Sequence, residues 1–167
     1  GTNERGLTVS STMLLDRPRD LSALGRVHPL LVLRILEQAS TLDEALAIVT
    51  SWPRVGAWSL LVSHAPSDEI AYLEYDGAAL AVRRGVDRIL TTNHSQLLSA
   101  GEEVPEHSLH RLRRAEALLP EGALGDADVR ALLRDRFDLA RGREVRHPTM
   151  NTVCRVDNQA SFVRAVS

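Results

Sequence analysis

The apolar period of this chain changes at Trp58, and that change is its strongest constraint. Upstream, Val32, Ile35, Leu36 and Ala39 recur at helical spacing behind Pro29, which suits an opening helical turn. A second helix is announced by Thr41-Leu42-Asp43-Glu44, a capping box, and repeats the stripe with Leu42, Ala45, Leu46 and Val49. Downstream the period falls to two: Trp58, Leu60 and Val62 alternate with serines, followed by strand-like runs at Glu69 to Tyr75, Ala78 to Arg83 and Arg88 to Thr92. Tight turns at Pro66-Ser67-Asp68, Asp76-Gly77 and Gly85-Val86-Asp87 join them into an antiparallel meander.

Around this centre the sequence predicts an opening strand from Leu7 to Ser11, then an exposed connection around Asp16-Arg17-Pro18-Arg19-Asp20. Later come helices from Ser108 to Leu119 and after Asp126, the latter with Val129, Leu132 and Leu133 as its stripe. Two closing strands, Met150 to Val156 and Ser161 to Val166, flank the turn Asp157-Asn158-Gln159. Helices and antiparallel strands in separate runs argue for an α+β layered architecture rather than a doubly wound parallel sheet. No glycine-rich phosphate loop is present.

The length of 167 residues suits a single domain, 1–167. All 20 basic residues are arginine, but 22 acidic ones are interleaved with them, so a nucleic-acid partner is not expected. No apolar run is long enough to span a membrane, no membrane partner is expected, and a cytoplasmic setting is favoured. One cysteine, Cys154, excludes an internal disulfide, and its strand-like surroundings read as a small buried hydrophobe.

The opening Gly1-Thr2-Asn3-Glu4-Arg5-Gly6-Leu7-Thr8-Val9, the helix from His28 to Leu36, Thr41 to Ala45, Leu73-Glu74-Tyr75 and Thr91-Thr92-Asn93-His94 stand in a telling order. Together with Ser108-Leu109-His110-Arg111-Leu112-Arg113-Arg114, they resemble the acyl-CoA:6-aminopenicillanic acid acyltransferase family of N-terminal-nucleophile hydrolases. The resemblance implies a four-layer αββα sandwich of antiparallel sheets, incomplete at the N-terminus here. It also implies a precursor that cuts itself to expose a nucleophilic cysteine, with an amide or acyl thioester as small-molecule substrate. That cysteine and a following aspartate are expected upstream of Gly1, in a segment that would be a partner of this chain. Residues 1–167 alone are therefore expected to be inactive and to aggregate or stay molten.

Carried over residue by residue, the resemblance makes Asn93 the oxyanion-hole asparagine and gives Asn3 a polar contact near the nucleophile. It makes Arg146 the nearest match to an arginine beside the nucleophile, offset by about one position from the family pattern. His94 lines the substrate site or serves as a structural histidine of the loop. No cofactor and no metal are implied; self-association is left open. Two other readings stand beside this one: a non-catalytic relative acting as a binding module, and a zinc site from His94, His107 and His110. Arg111, Arg113 and Arg114 read as a solvated helix face with an Arg113–Glu116 pair, and Trp52, Trp58, Tyr72 and Tyr75 as core packing.

Overall fold

A computed structural model describes residues 1–17, 25–85, 88–98, 103–119 and 125–154. They fall into two compact units, Gly1–Val104 and Pro105–Ser167. The first holds β1 (Leu7–Met13), α1 (His28–Gln38), α2 (Leu42–Ser51), β2 (Trp58–His64), β3 (Glu69–Tyr75) and β4 (Leu80–Arg84). The four strands form one antiparallel sheet in chain order. The result is a mixed α+β fold, and no helix among the described residues is long and apolar enough to cross a membrane.

Strand alternation gives the sheet two unlike faces. Leu7, Val9, Leu60, Val62, Ala71, Leu73 and Tyr75 point toward Leu31, Ile35, Ala39, Leu42, Ala45 and Val49 of the helix pair, forming one buried core. Each fully buried Leu, Ile or Val side chain there stabilises by about 1.5–3 kcal/mol. The other face carries Thr8, Ser10, Thr12, Ser59, Ser63, Tyr72 and Glu74, of which Ser59, Tyr72 and Glu74 are buried.

Local chemistry explains the helix starts. Thr41 caps α2, its hydroxyl accepting from Glu44 N at 3.2 Å, and the Glu44 carboxylate returns to Ser40 N at 2.6 Å, one residue before the cap. Pro29 lies in the first turn of α1 as expected, but Leu31 and His28 are buried beside Ile35, so the buried stripe is wider than the one read from sequence. Leu7 begins β1 behind Gly6, whose φ of +84° and 2.7 Å approach of an added Cβ to Pro66 Cδ require glycine.

Three readings need correction. Among the described residues, the run from Arg88 to Thr92 joins no strand ladder; the sheet gains its fourth strand from β1 instead. Residues 150–154 form turns, because Thr149 and Thr152 hydroxyls bond the local backbone in competition with a ladder. Asp16 is fully buried rather than part of an exposed connection. Residues 18–20 of that connection and the strand from Ser161 to Val166 lie outside the described residues.

The second unit contains α3 (Glu106–Leu118), α4 (Asp126–Arg134) and a short hairpin of β5 (Phe137–Asp138) with β6 (Arg143–Glu144). Its arginines are not a uniformly solvated face. Arg111 is buried with Nε donating to His107 O at 3.1 Å, and Arg114 meets Asp135 through two bonds of 2.8 and 3.1 Å while lying over Phe137. Of the three, Arg113 alone is exposed.

Candidate functional site

The C-terminal end of β1 and the loop 93–98 form one hydrogen-bonded assembly. Leu14 N donates to Ala57 O, keeping β1 on β2, while Leu15 N donates to Asn93 O at 2.8 Å. The Asn93 side chain answers from the other direction, its Nδ2 donating to Met13 O at 3.0 Å. An amide nitrogen carries two hydrogens, and the one given to Met13 fixes the plane of the group. Next to it, His94 is buried, with Nδ1 at 3.0 Å from Thr92 Oγ1.

Two buried carboxylates hold the residues that follow. Asp16 accepts from Ser95 N at 3.0 and 2.9 Å and from Ser95 Oγ at 3.3 Å. Glu74, fully buried in β3, accepts from Gln96 N at 2.6 Å, Leu97 N at 2.7 Å and Leu98 N at 2.8 Å. Tyr72 OH donates to the same carboxylate at 2.6 Å, and its burial and this contact push the phenol pKa up. Glu74 projects from the face opposite the helix pair, so the loop crosses that face at the Met13–Trp58–Tyr75 end of the sheet. Sequence reading named Glu74 within a motif and missed its purpose. A carboxylate inside Tyr72-Leu73-Glu74-Tyr75, where every neighbour is buried, was the available signal.

On the helix-facing side of the same end lies a second buried polar cluster. His28 stacks on Trp58 with ring centroids 4.0 Å apart and bonds Tyr75 OH through Nδ1 at 2.7 Å. Burial holds its imidazole at about pKa 4, well below the ordinary value, so it is neutral at pH 7. Asp76 next to it accepts from Ala78 N, Ala79 N and the Arg17 guanidinium, and these bonds hold its carboxyl below the usual range against the opposing cost of burial. Trp52 and Tyr75 are buried and Trp58 partly so in the core, as expected, whereas Tyr72 is buried on the opposite face against Glu74.

Asn3 is elsewhere. It precedes the opposite end of β1, and seven strand residues separate the two ends by roughly 20 Å. Its Nδ2 donates to Leu36 O at 3.1 Å and Ala39 O at 2.9 Å, while Oδ1 accepts from Arg5 N and Leu7 N. Both amide hydrogens thus satisfy carbonyls at the end of α1, which otherwise have no partner in the helix. The structure does not bring Asn3 to Asn93.

Arg146 belongs to the second unit, where its side chain is exposed and its carbonyl accepts from Arg136 Nη1 at 3.2 Å. Cys154 is partly exposed, with its amide donating to Asp135 O at 3.0 Å. Among the described residues no three His, Cys, Asp or Glu side chains are grouped to hold a metal ion, so the zinc reading of His94, His107 and His110 has no donor set behind it.

No curated protein matches the chain. A family of known proteins does, over residues 1–154, which include β1, the Asn93 loop and both carboxylates that hold it. The chain belongs to the acyl-coenzyme A:6-aminopenicillanic acid acyl-transferase family.

Proposed function

We propose that the complete protein cleaves an amide or acyl thioester through a covalent acyl-enzyme, with Asn93 as the oxyanion donor. Its nucleophile is an N-terminal cysteine released by self-cleavage upstream of Gly1, and the new terminal amine is the base that takes the thiol proton. Sulfur forms a bond to the substrate carbonyl carbon, and the carbonyl π pair moves to oxygen. Asn93 Nδ2 donates to that oxygen. Collapse of the tetrahedral intermediate breaks the bond to the amine or thiol leaving group, which takes up the proton. Water or an acceptor amine then releases the acyl group.

The observation that carries this reading is the attachment of Asn93. A donor gains most when it is fixed before charge develops, because no reorganisation then accompanies the reaction. Asn93 is tied through its amide nitrogen to Met13, the last residue of β1, and through its carbonyl to Leu15 just beyond it. In this reading His94 lines the substrate site and Arg146 is the arginine near the nucleophile. Asn3 secures the other end of the sheet. The face bearing Tyr72 and Glu74 is the one a second sheet covers in the complete four-layer sandwich.

Intact mass and N-terminal sequencing of the protein expressed from its complete gene come first. The expected result is a mature chain that begins with cysteine and contains residues 1–154. An acyl-coenzyme A thioester and 6-aminopenicillanic acid then serve as donor and acceptor probes. Asn93→Ala is expected to lose at least tenfold in acyl transfer while keeping its circular dichroism spectrum. A mature chain beginning with no Cys, Ser or Thr would leave a binding module instead, whereas unchanged turnover in Asn93→Ala would remove Asn93 as the oxyanion donor.

A further inference from the structure

We propose that Asp16 and Glu74 are positioning residues for acyl transfer: they clamp residues 95–98 from beneath and so fix Asn93, a role that rests on reading Asn93 as the oxyanion donor. Both carboxylates are fully buried, and a buried polar group is tolerated only where hydrogen bonds replace the lost water. Nearly all of those bonds come from one short stretch of chain: Ser95 supplies Asp16, and Gln96, Leu97 and Leu98 supply Glu74. Tyr72 OH donates to Glu74 from outside that stretch. The carboxylates therefore depend on the docked loop for most of these bonds, and the loop's amides in turn donate to the carboxylates. Three to four such bonds on each carboxylate make this attachment stiffer than a turn held by a single backbone bond.

Position follows from that stiffness. Asn93 itself is fastened to Leu15 N through its carbonyl and to Met13 O through its side chain, and two residues later the chain is fastened to Asp16. A segment held at both ends leaves the amide little freedom, and a displacement of about 1 Å at a reacting group costs on the order of a hundredfold in rate. Neither carboxylate needs to approach the substrate for this effect. Their reach is across the sheet, Asp16 just beyond β1 and Glu74 on β3, so the donor is referenced to two different strands.

Hydrogen exchange and kinetics on the full-length protein test the proposal together. Glu74→Gln is expected to speed exchange at Gln96, Leu97 and Leu98 at least tenfold, and Asp16→Asn to do so at Ser95. With hexanoyl-coenzyme A as donor, each variant is expected to lower kcat at least tenfold with KM changed less than twofold. The same substitutions made on top of Asn93→Ala are expected to lower kcat less than twofold further, because groups that act through one residue are not additive. An equal loss in both backgrounds, with Asn93→Ala itself impaired, overturns the positioning role alone. Unchanged turnover in Asn93→Ala overturns the oxyanion reading, and this inference with it. Exchange that stays slow at these amides in the two variants also overturns the proposal, and that measurement needs no substrate. If Glu74→Gln fails to fold, Asp16→Asn decides the matter by the same readings.

Discussion

The two ends of the four-stranded sheet each carry an asparagine beside β1, and the two are used differently. At the Leu7 end, Asn3 has all four of its side-chain hydrogen bonds turned inward, two to α1 carbonyls and two to its own turn. At the Met13 end, Asn93 is held through its carbonyl by Leu15 and through its side chain by Met13, and the loop behind it rests on buried carboxylates. Both sit in turn-like sequence next to strand residues, so residue type and local pattern do not separate them. The difference lies in what holds what: Asn3 holds the fold, whereas the fold holds Asn93.

The largest effect that tests this contrast is on rate. Asn93→Asp keeps the shape of the side chain but replaces a donor with an acceptor facing Met13 O, and acyl transfer is expected to fall by about two to three orders of magnitude. Steady-state kinetics on the complete enzyme measure it. A loss that appears equally in Asn3→Asp would erase the distinction between the ends.

Acid should loosen the Met13 end through His28. Its folded pKa of about 4 lies below the unfolded value of 6.5, so the unfolded chain binds the extra proton first as pH falls. The stability from the neutral ring is fully present above pH 6.5 and is lost between 6.5 and 4, by up to about 3 kcal/mol. Urea unfolding across that range should show the slope, and His28→Phe should flatten it, at a cost of about 1 kcal/mol at pH 7 from the lost Tyr75 bond. A slope unchanged in His28→Phe would place the acid-sensitive group elsewhere.

Asn3→Ala should lower unfolding free energy by about 1–3 kcal/mol, through lost bonds and exposed helix-end carbonyls, without changing kcat. A fall in kcat at unchanged stability would give Asn3 a chemical role and break the comparison. The smallest effect belongs to Thr41→Ala, about 1 kcal/mol from the lost cap on α2, and thermal unfolding should register it with no change in turnover.

Much of the scaffold is visible in sequence because it is local. β3 carries the boundaries its pattern predicts, β2 extends the alternation that starts at Trp58, and the Thr41 cap needs only four residues to declare itself. The run from Arg88 to Thr92 has strand-like residues but pairs with no strand among the described residues, and a strand exists only where another strand accepts its bonds. The β5–β6 hairpin spans two residues a side, too few for any period to show. The candidate site was half legible: Asn93 and His94 stand in a motif, whereas Asp16 reads as surface. Its burial depends on Ser95, 79 residues away, and no window of sequence contains both.

That separation also bears on when the site comes into being as the chain folds. The helix pair and the β2–β3 hairpin close through short loops and can form early. The Asn93 loop can dock only after β1 has brought Asp16, and β3 has brought Glu74, to the same end of the sheet. Closing so long a loop carries its entropy cost before any bond compensates it. The oxyanion donor is therefore among the last groups to reach its place, and a partly folded chain would hold a nearly complete scaffold with no competent donor.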